Sequence, residues 1–133
     1  MTRPPAVVFL HGFLGSSGDW RDTIAHLSDG CYGIAIDLPG HGQTPCDLDT
    51  FDDVCDHIIE TVISLNCTDV VLVGYSMGGR LALNSVLRSP QSFRMLVLES
   101  ASPGLPSVEE REARQHHDER IAHELETRPF DEF

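Results

Sequence analysis

The sequence has no long apolar run. The longest one near the N-terminus is AVVFL at residues 6–10, far short of the ~20 apolar residues that a membrane-spanning helix needs. It is also too short for the apolar part of a signal peptide, and His11 and Gly12 interrupt it where a cleavage site would have to form. We therefore expect no membrane span, no secretion signal and a cytoplasmic location.

The sequence also has no closely spaced pair of cysteines and no lysine. The four cysteines lie far apart without a C-x-x-C pair, so zinc-site spacing is absent and a disulfide framework has little support. All nine cations are arginine and stand against 21 acids, for a net charge of −12. This balance argues against nucleic acid and anionic membranes as partners. A small anionic substrate stays open, because a few arginines in a pocket outweigh a distant acidic surface.

Short apolar runs alternate with amphipathic segments along most of the chain. This alternation is typical of β–α–β units around a parallel sheet, so we predict an α/β fold. We predict strands at residues 6–10, 31–37, 69–73 and 94–98, and helices at 19–27, 51–65 and 76–87.

Residues 107–126 are of a different kind, rich in acids and arginines with few apolar positions. A helix there would bury little surface by itself. We interpret residues 1–106 as the N-terminal part of an α/β core and residues 107–133 as the charged start of a lid segment. Single α/β domains often run to ~200–250 residues, so we expect the fold to be truncated before its last strands.

The stretch GYSMGG at residues 74–79 directly follows a predicted strand and opens a predicted helix. In that context G-x-S-x-G indicates a sharp turn that raises Ser76 above the carboxyl edge of the sheet. Gly74 and Gly78 would prevent a steric clash, and the Met77 amide at the new helix N-terminus could donate to a developing oxyanion. The alternative is a glycine-rich packing turn with an incidental serine.

Two loops complete the pattern: HGFLG at residues 11–15 after the first strand, and DLPGHGQT at residues 37–44 after the second. In this order the three motifs resemble the α/β-hydrolase superfamily, in which the first loop supplies the second oxyanion donor. The resemblance points to the Phe13 amide. We expect His11 and His41 to brace these loops rather than to catalyse.

Three further stretches make the resemblance specific to one family within this superfamily. SMGGR at residues 76–80, SPGL at 102–105 and EEREAR at 109–114 resemble the 2-succinyl-6-hydroxy-2,4-cyclohexadiene-1-carboxylate synthases of menaquinone biosynthesis. That family implies a lyase without cofactor or metal, which releases pyruvate by proton abstraction from a substrate with several carboxylates. The serine and histidine of its triad assist the abstraction.

The resemblance also implies substrate-binding residues. Arg80 and Arg114 match arginines of the family, and a guanidinium suits carboxylates because it offers two parallel donors. Alternatively, Arg80 could pair with a carbonyl or an acid, and Arg114 with Glu110 one helical turn away. Tyr75 could line the pocket or simply pack.

The triad order in this superfamily is serine, acid, histidine, and no convincing partner follows Ser76. Glu99 comes after the last predicted strand, where we favour a structural role, and the histidines beyond it lie in the charged segment. Without a base, a serine hydroxyl is a weak nucleophile or proton relay. We therefore expect this chain to be inactive alone. A generic serine esterase or hydrolase of the same fold and a non-catalytic α/β module are the alternatives, and the oligomeric state is open.

Overall fold

A computed structural model describes residues 4–132. Its four strands are β1 (Ala6–Leu10), β2 (Tyr32–Ile36), β3 (Val70–Tyr75) and β4 (Met95–Glu99). Its α-helices are α1 (Arg21–Ala25), α2 (Phe51–Ser64), α3 (Met77–Arg88) and α4 (Val108–Thr127), with 3₁₀ turns at Ser17–Trp20, Pro90–Ser92 and Phe130–Glu132.

The four strands form one parallel sheet in the order β2-β1-β3-β4. This confirms the predicted α/β architecture, and it places β1 beside the strand that precedes Ser76. Leu10 lies level with Gly74, and Gly74 lies level with Leu98. All strands therefore end at the same edge of the sheet, where the three loop motifs meet.

The two faces of the sheet bury different apolar sets, because successive side chains of a strand point to opposite sides. Val8, Leu10 and Leu72 pack with Ile58 of α2 and Leu81 of α3 on one face. The other face holds a smaller cluster of Phe9, Trp20 and Val73.

The first predicted helix is shorter than expected. Ser16 and Asp19 form a capping box that starts a 3₁₀ turn, and the α-helical part runs only from Arg21 to Ala25. The 3₁₀ turn buries Trp20 against Phe9, with ring centroids 4.8 Å apart. A tight first turn is common at helix starts, and here it brings the indole onto the sheet.

The strand before Ser76 is longer than expected. We predicted its end at Val73, but Gly74 and Tyr75 continue the ladder and pair with Leu98 and Glu99. Gly74 does not have a positive φ and remains part of the strand. The positive φ of the turn is at Ser76.

The chain divides into two compact units, the first ending at Pro103 and the second starting at Gly104. The second contains α4, which begins with a capping box of Ser107 and Glu110 and buries no residue. This agrees with the expectation that the charged segment buries little surface. Among the described residues, no helix combines the length and apolar character that a membrane crossing requires.

Leu72 gives a direct test of the sheet core. It is 0% exposed at the centre of β3, whereas Leu87 on α3 is 72% exposed. Replacing Leu72 with alanine should lower the free energy of unfolding by about 2–5 kcal/mol, because it leaves a cavity. Urea unfolding measures the change, and Leu87→Ala is the control, expected to shift it by less than about 0.5 kcal/mol. Equal losses in both variants would contradict the described core.

Candidate active site

Ser76 occupies the turn between β3 and α3 in a rare backbone conformation. Its φ is 50° and its ψ is −113°, a region that side-chain-bearing residues avoid and that persists only when the surroundings enforce it. The enforcing contacts come from both sides: the Ser76 amide donates to the Glu99 carbonyl at 2.9 Å, and the Ser76 carbonyl accepts from Gly79 and Arg80. The predicted sharp, strained serine turn is therefore present.

Three glycines make the turn possible. A Cβ on Gly74 would collide with the Gly78 backbone, and one on Gly78 would collide with the carbonyl oxygens of Leu10 and His11. The sequence predicted both of these. It missed the third, Gly79, whose missing side chain leaves room for Ala101 beyond β4. Helix α3 can therefore start directly against the ends of β1 and β4.

The loop after β1 passes along the serine turn. A Cβ on Gly12 would lie 2.9 Å from the Tyr75 ring and 3.7 Å from the Ser76 Cβ. Within residues 4–103, neither the Phe13 amide nor the Met77 amide donates a hydrogen bond to the protein. Two unused backbone donors thus lie in the segments that flank Ser76.

Asp37 ties this loop to the loop after β2. Its carboxylate accepts from the Ser17 amide at 2.7 Å and from the Gln43 amide at 3.1 Å. These hydrogen bonds, that from Ser17 first, hold the pKa of the Asp37 carboxyl below its ordinary value of 3.8. Gly42 has to be glycine here, with φ 53° and no room for a Cβ beside the carboxylate. No local sequence pattern indicated the Ser17 contact, because it joins residues of two separate loops.

His11 also joins the two loops. It is buried, its Nε2 accepts from the Leu38 amide at 3.0 Å, and its Nδ1 lies 2.7 Å from the Gly12 carbonyl. Both ring nitrogens are thus engaged with the backbone. These contacts fit the bracing role that we expected from the sequence.

A cavity of about 350 Å³ opens beside the serine turn. Its walls carry aromatic, acidic and hydroxyl groups, from His11, Gly12, Asp19, Trp20, Thr23, Tyr75 and Glu99. Tyr75 therefore has a place on a cavity wall, whereas Ser76, Phe13, Met77 and Arg80 are not among the lining residues. The indole Nε1 of Trp20 is buried without a hydrogen-bond partner in the described part of the chain.

The two predicted substrate arginines have different surroundings. Arg80 is exposed, one helical turn after Ser76, and its guanidinium has neither a hydrogen bond nor an ion pair within residues 4–103. Arg114 lies on α4 in the second unit, where its Nε is 2.7 Å from the Asp118 carboxylate. The sequence alternative of an i,i+4 pair thus exists, but with Asp118 rather than Glu110.

No base reaches Ser76 within the first unit. Among residues 4–103, no side chain hydrogen-bonds the Ser76 hydroxyl, and the nearby His11 uses both ring nitrogens elsewhere. Glu99 contributes its backbone carbonyl to the serine turn, and it is one of the residues that line the cavity. Across residues 4–132, no three histidine, cysteine, aspartate or glutamate side chains form a group able to hold a metal ion.

The sheet order, the strained serine and the glycine contacts define the class of protein. The profile of the family described as alpha/beta hydrolase fold matches residues 5–133. The chain belongs to this family.

Its more specific relatives agree with the resemblance predicted from the motifs. The chain is 37% identical over 127 residues to the 2-succinyl-6-hydroxy-2,4-cyclohexadiene-1-carboxylate synthase of Escherichia coli O1:K1, covering 95% of this chain and 50% of that protein. The structure of MenH from S. aureus superposes with a TM-score of 0.84 and 33% identity, over 96% of this chain and 48% of that one.

A marine microorganism esterase also has this fold, with a TM-score of 0.77 and 25% identity over 96% of this chain and 48% of its own. The chain spans about half the length of the curated relatives that it matches.

Gly78→Ala tests the close approach of α3 to β1. Alanine normally stabilises a helix relative to glycine, but here its Cβ would strike the Leu10 and His11 carbonyls. We expect a loss of about 1–3 kcal/mol in the free energy of unfolding, the usual range for overpacking. Gly30→Ala is the control, since nothing lies within 4 Å of its Cβ position. A stabilised Gly78→Ala protein would show that the approach is wrong.

Asp37 generates a pH prediction. Because its folded pKa is depressed below 3.8, its contribution to stability is present above about pH 4 and is lost as the pH falls through the folded pKa. Asp37→Asn cannot accept both amides, so it should be less stable than the parent at pH 7. The difference between the two urea midpoints should narrow as the pH is lowered below about 4, because the parent then begins to lose the carboxylate. A gap that stays constant with pH would contradict the assignment.

Proposed function

We propose that this chain carries the serine turn of a lyase that eliminates pyruvate from a succinyl-enolpyruvyl-cyclohexene carboxylate in menaquinone biosynthesis. The observation that carries the proposal is the strained Ser76, with an unused backbone amide in each of the two neighbouring segments. The chain is also 37% identical to a 2-succinyl-6-hydroxy-2,4-cyclohexadiene-1-carboxylate synthase. We place the reaction in the cytoplasm, since its small polycarboxylate substrate and the chain's acidity require neither membrane nor nucleic acid.

The chemistry needs a proton acceptor and a place for negative charge. A base removes a ring proton next to a ketone, the electron pair moves through the ring, and the C–O bond to the enolpyruvyl group breaks. The enolpyruvyl group leaves as the enolate of pyruvate and takes up the proton at carbon to become pyruvate, so no cofactor or metal is required. Ser76 relays the proton. The amides of Phe13 and Met77 form an oxyanion hole and donate to the enolate oxygen that develops on the substrate ketone.

Ser76 cannot act as a base by its own pKa, and it needs a histidine beside it. No side chain of residues 4–103 fills that role. We therefore infer that the 133-residue chain alone does not turn over substrate.

Arg80 is the proposed carboxylate-binding residue. It lies one turn along α3 from Ser76, and no acid or carbonyl of residues 4–103 occupies its guanidinium. A free guanidinium near a proton-relay serine suits an anionic substrate, because it forms bidentate hydrogen bonds with a carboxylate. Arg114 would be a second carboxylate-binding residue, once the substrate replaces Asp118 as its partner. Tyr75 would line the binding site.

A serine esterase is the second candidate. The structural likeness to a marine microorganism esterase favours it, and the same amides would stabilise the tetrahedral intermediate of acyl transfer. The two candidates differ in whether Ser76 becomes acylated. In the whole gene product, rapid labelling of Ser76 by a fluorophosphonate together with turnover of p-nitrophenyl esters would support the esterase.

The lyase proposal is tested by pyruvate release from the whole translated product of the gene. Ser76→Ala should lower kcat by roughly 10²–10⁴-fold, the usual contribution of a positioned proton-transfer group. Arg80→Ala should raise KM more than it lowers kcat, and Arg80→Lys should restore little, because lysine lacks the planar pair of donors.

Arg94→Ala is the matched control. Arg94 precedes β4 and lies 3.9 Å from Asp69 at the opposite end of the sheet, so its loss should leave both constants unchanged. An unmodified gene product that releases no pyruvate but cleaves simple esters well would refute the proposal.

A further inference from the structure

His41 is held by the backbone of both loops. The Leu14 amide donates to its Nε2 at 3.2 Å, so that nitrogen carries no proton. Its Nδ1 lies 3.1 Å from the Pro39 carbonyl, which can only accept, so Nδ1 is the donor. These two contacts require the neutral imidazole with its proton on Nδ1.

The residue whose amide donates to His41 has a strained backbone. Leu14 has a φ of 60°, in the left-handed region that L-residues with bulky side chains avoid. Such a conformation persists only when contacts enforce it, and the hydrogen bond to His41 is one of them. The His41 ring also meets the Phe13 ring edge-on, with centroids 6.2 Å apart. His41 therefore touches both Phe13 and the strained residue after it.

The charged and titratable neighbours of His41 come from two elements. From the loop after β1, the His11 ring lies with its centroid 5.0 Å away. From its own loop, Asp37 provides a carboxylate that two amides already engage. His11 is fully buried, whereas His41 is partly exposed. Of the two histidines that join the loops, His41 is the one that water can reach.

We propose that His41 is a positioning residue for the backbone donor at Phe13: its neutral ring fixes Leu14, and protonation of Nε2 releases the loop. Protonation converts Nε2 from an acceptor into a donor that faces the Leu14 N–H, so the hydrogen bond is lost. The catalytic consequence rests on the proposed role of the Phe13 amide, whereas the hydrogen bond and its pH dependence do not.

Amide exchange by NMR on the ¹⁵N-labelled chain tests the hydrogen bond directly. The protection factor of the Leu14 amide should fall roughly tenfold as His41 becomes protonated, the effect of losing one ordinary hydrogen bond. The ring ¹³C shifts of His41 report its titration and its Nδ1–H tautomer. In His41→Gln the side-chain oxygen can accept the same N–H but cannot titrate, so protection should stay constant with pH.

His26→Gln is the control, because His26 follows α1 and bonds the Asp22 carbonyl; its Leu14 amide should behave as in the parent. The inference is overturned if Leu14 protection does not change while His41 titrates. It is equally overturned if His41→Gln loses protection over the same pH range, since another group would then be responsible.

In the whole gene product, the part of the fall in kcat that follows the ring shifts of His41 should be missing in His41→Gln, with KM unchanged, whereas the fall caused by the base that Ser76 needs should remain. An intact Leu14 response with no pyruvate release would refute the proposed function and leave the positioning role standing.

Discussion

The left-handed turn at Ser76 is the constraint on which the rest of the site depends. A serine at φ 50° is held there by the Glu99 carbonyl on one side and by the first turn of α3 on the other. Because the turn is so short, α3 starts within contact distance of the ends of β1 and β4. That proximity excludes side chains at Gly74, Gly78 and Gly79, and it brings the loop after β1 alongside Ser76.

The two loops at this edge act as one structure because their hydrogen bonds cross between them. Asp37 accepts from Ser17, His11 accepts from Leu38, and His41 accepts from Leu14. Three side chains therefore hold the loop that carries the Phe13 amide against the loop after β2. A loop with unused donors needs such bracing, since a mobile amide cannot be preorganised toward developing charge.

Much of this arrangement could be predicted from the sequence. Apolar periodicity predicted the four parallel strands, and the GYSMG stretch predicted the strained serine, since both are local signals. The Ser17–Asp37 bond and the contact of Gly79 with Ala101 could not be predicted, because they join residues that only the fold brings together. The first helix was predicted too long because its periodicity also fits the 3₁₀ turn that buries Trp20. The roles of Phe13, Met77, Tyr75, Arg80 and Arg114 toward a substrate stay predictions.

We propose that Ser76 and the amides of Phe13 and Met77 form one oxyanion-stabilising proton-relay site. Its most direct test is a crystal structure of the whole gene product with a stable aromatic analogue of the cyclohexadiene product bound. We expect the ketone oxygen of the analogue to accept hydrogen bonds from the Phe13 and Met77 amides, and a carboxylate of the analogue to bind Arg80. An analogue bound with its ketone oxygen away from both amides, while Ser76 keeps its left-handed turn, would contradict this proposal.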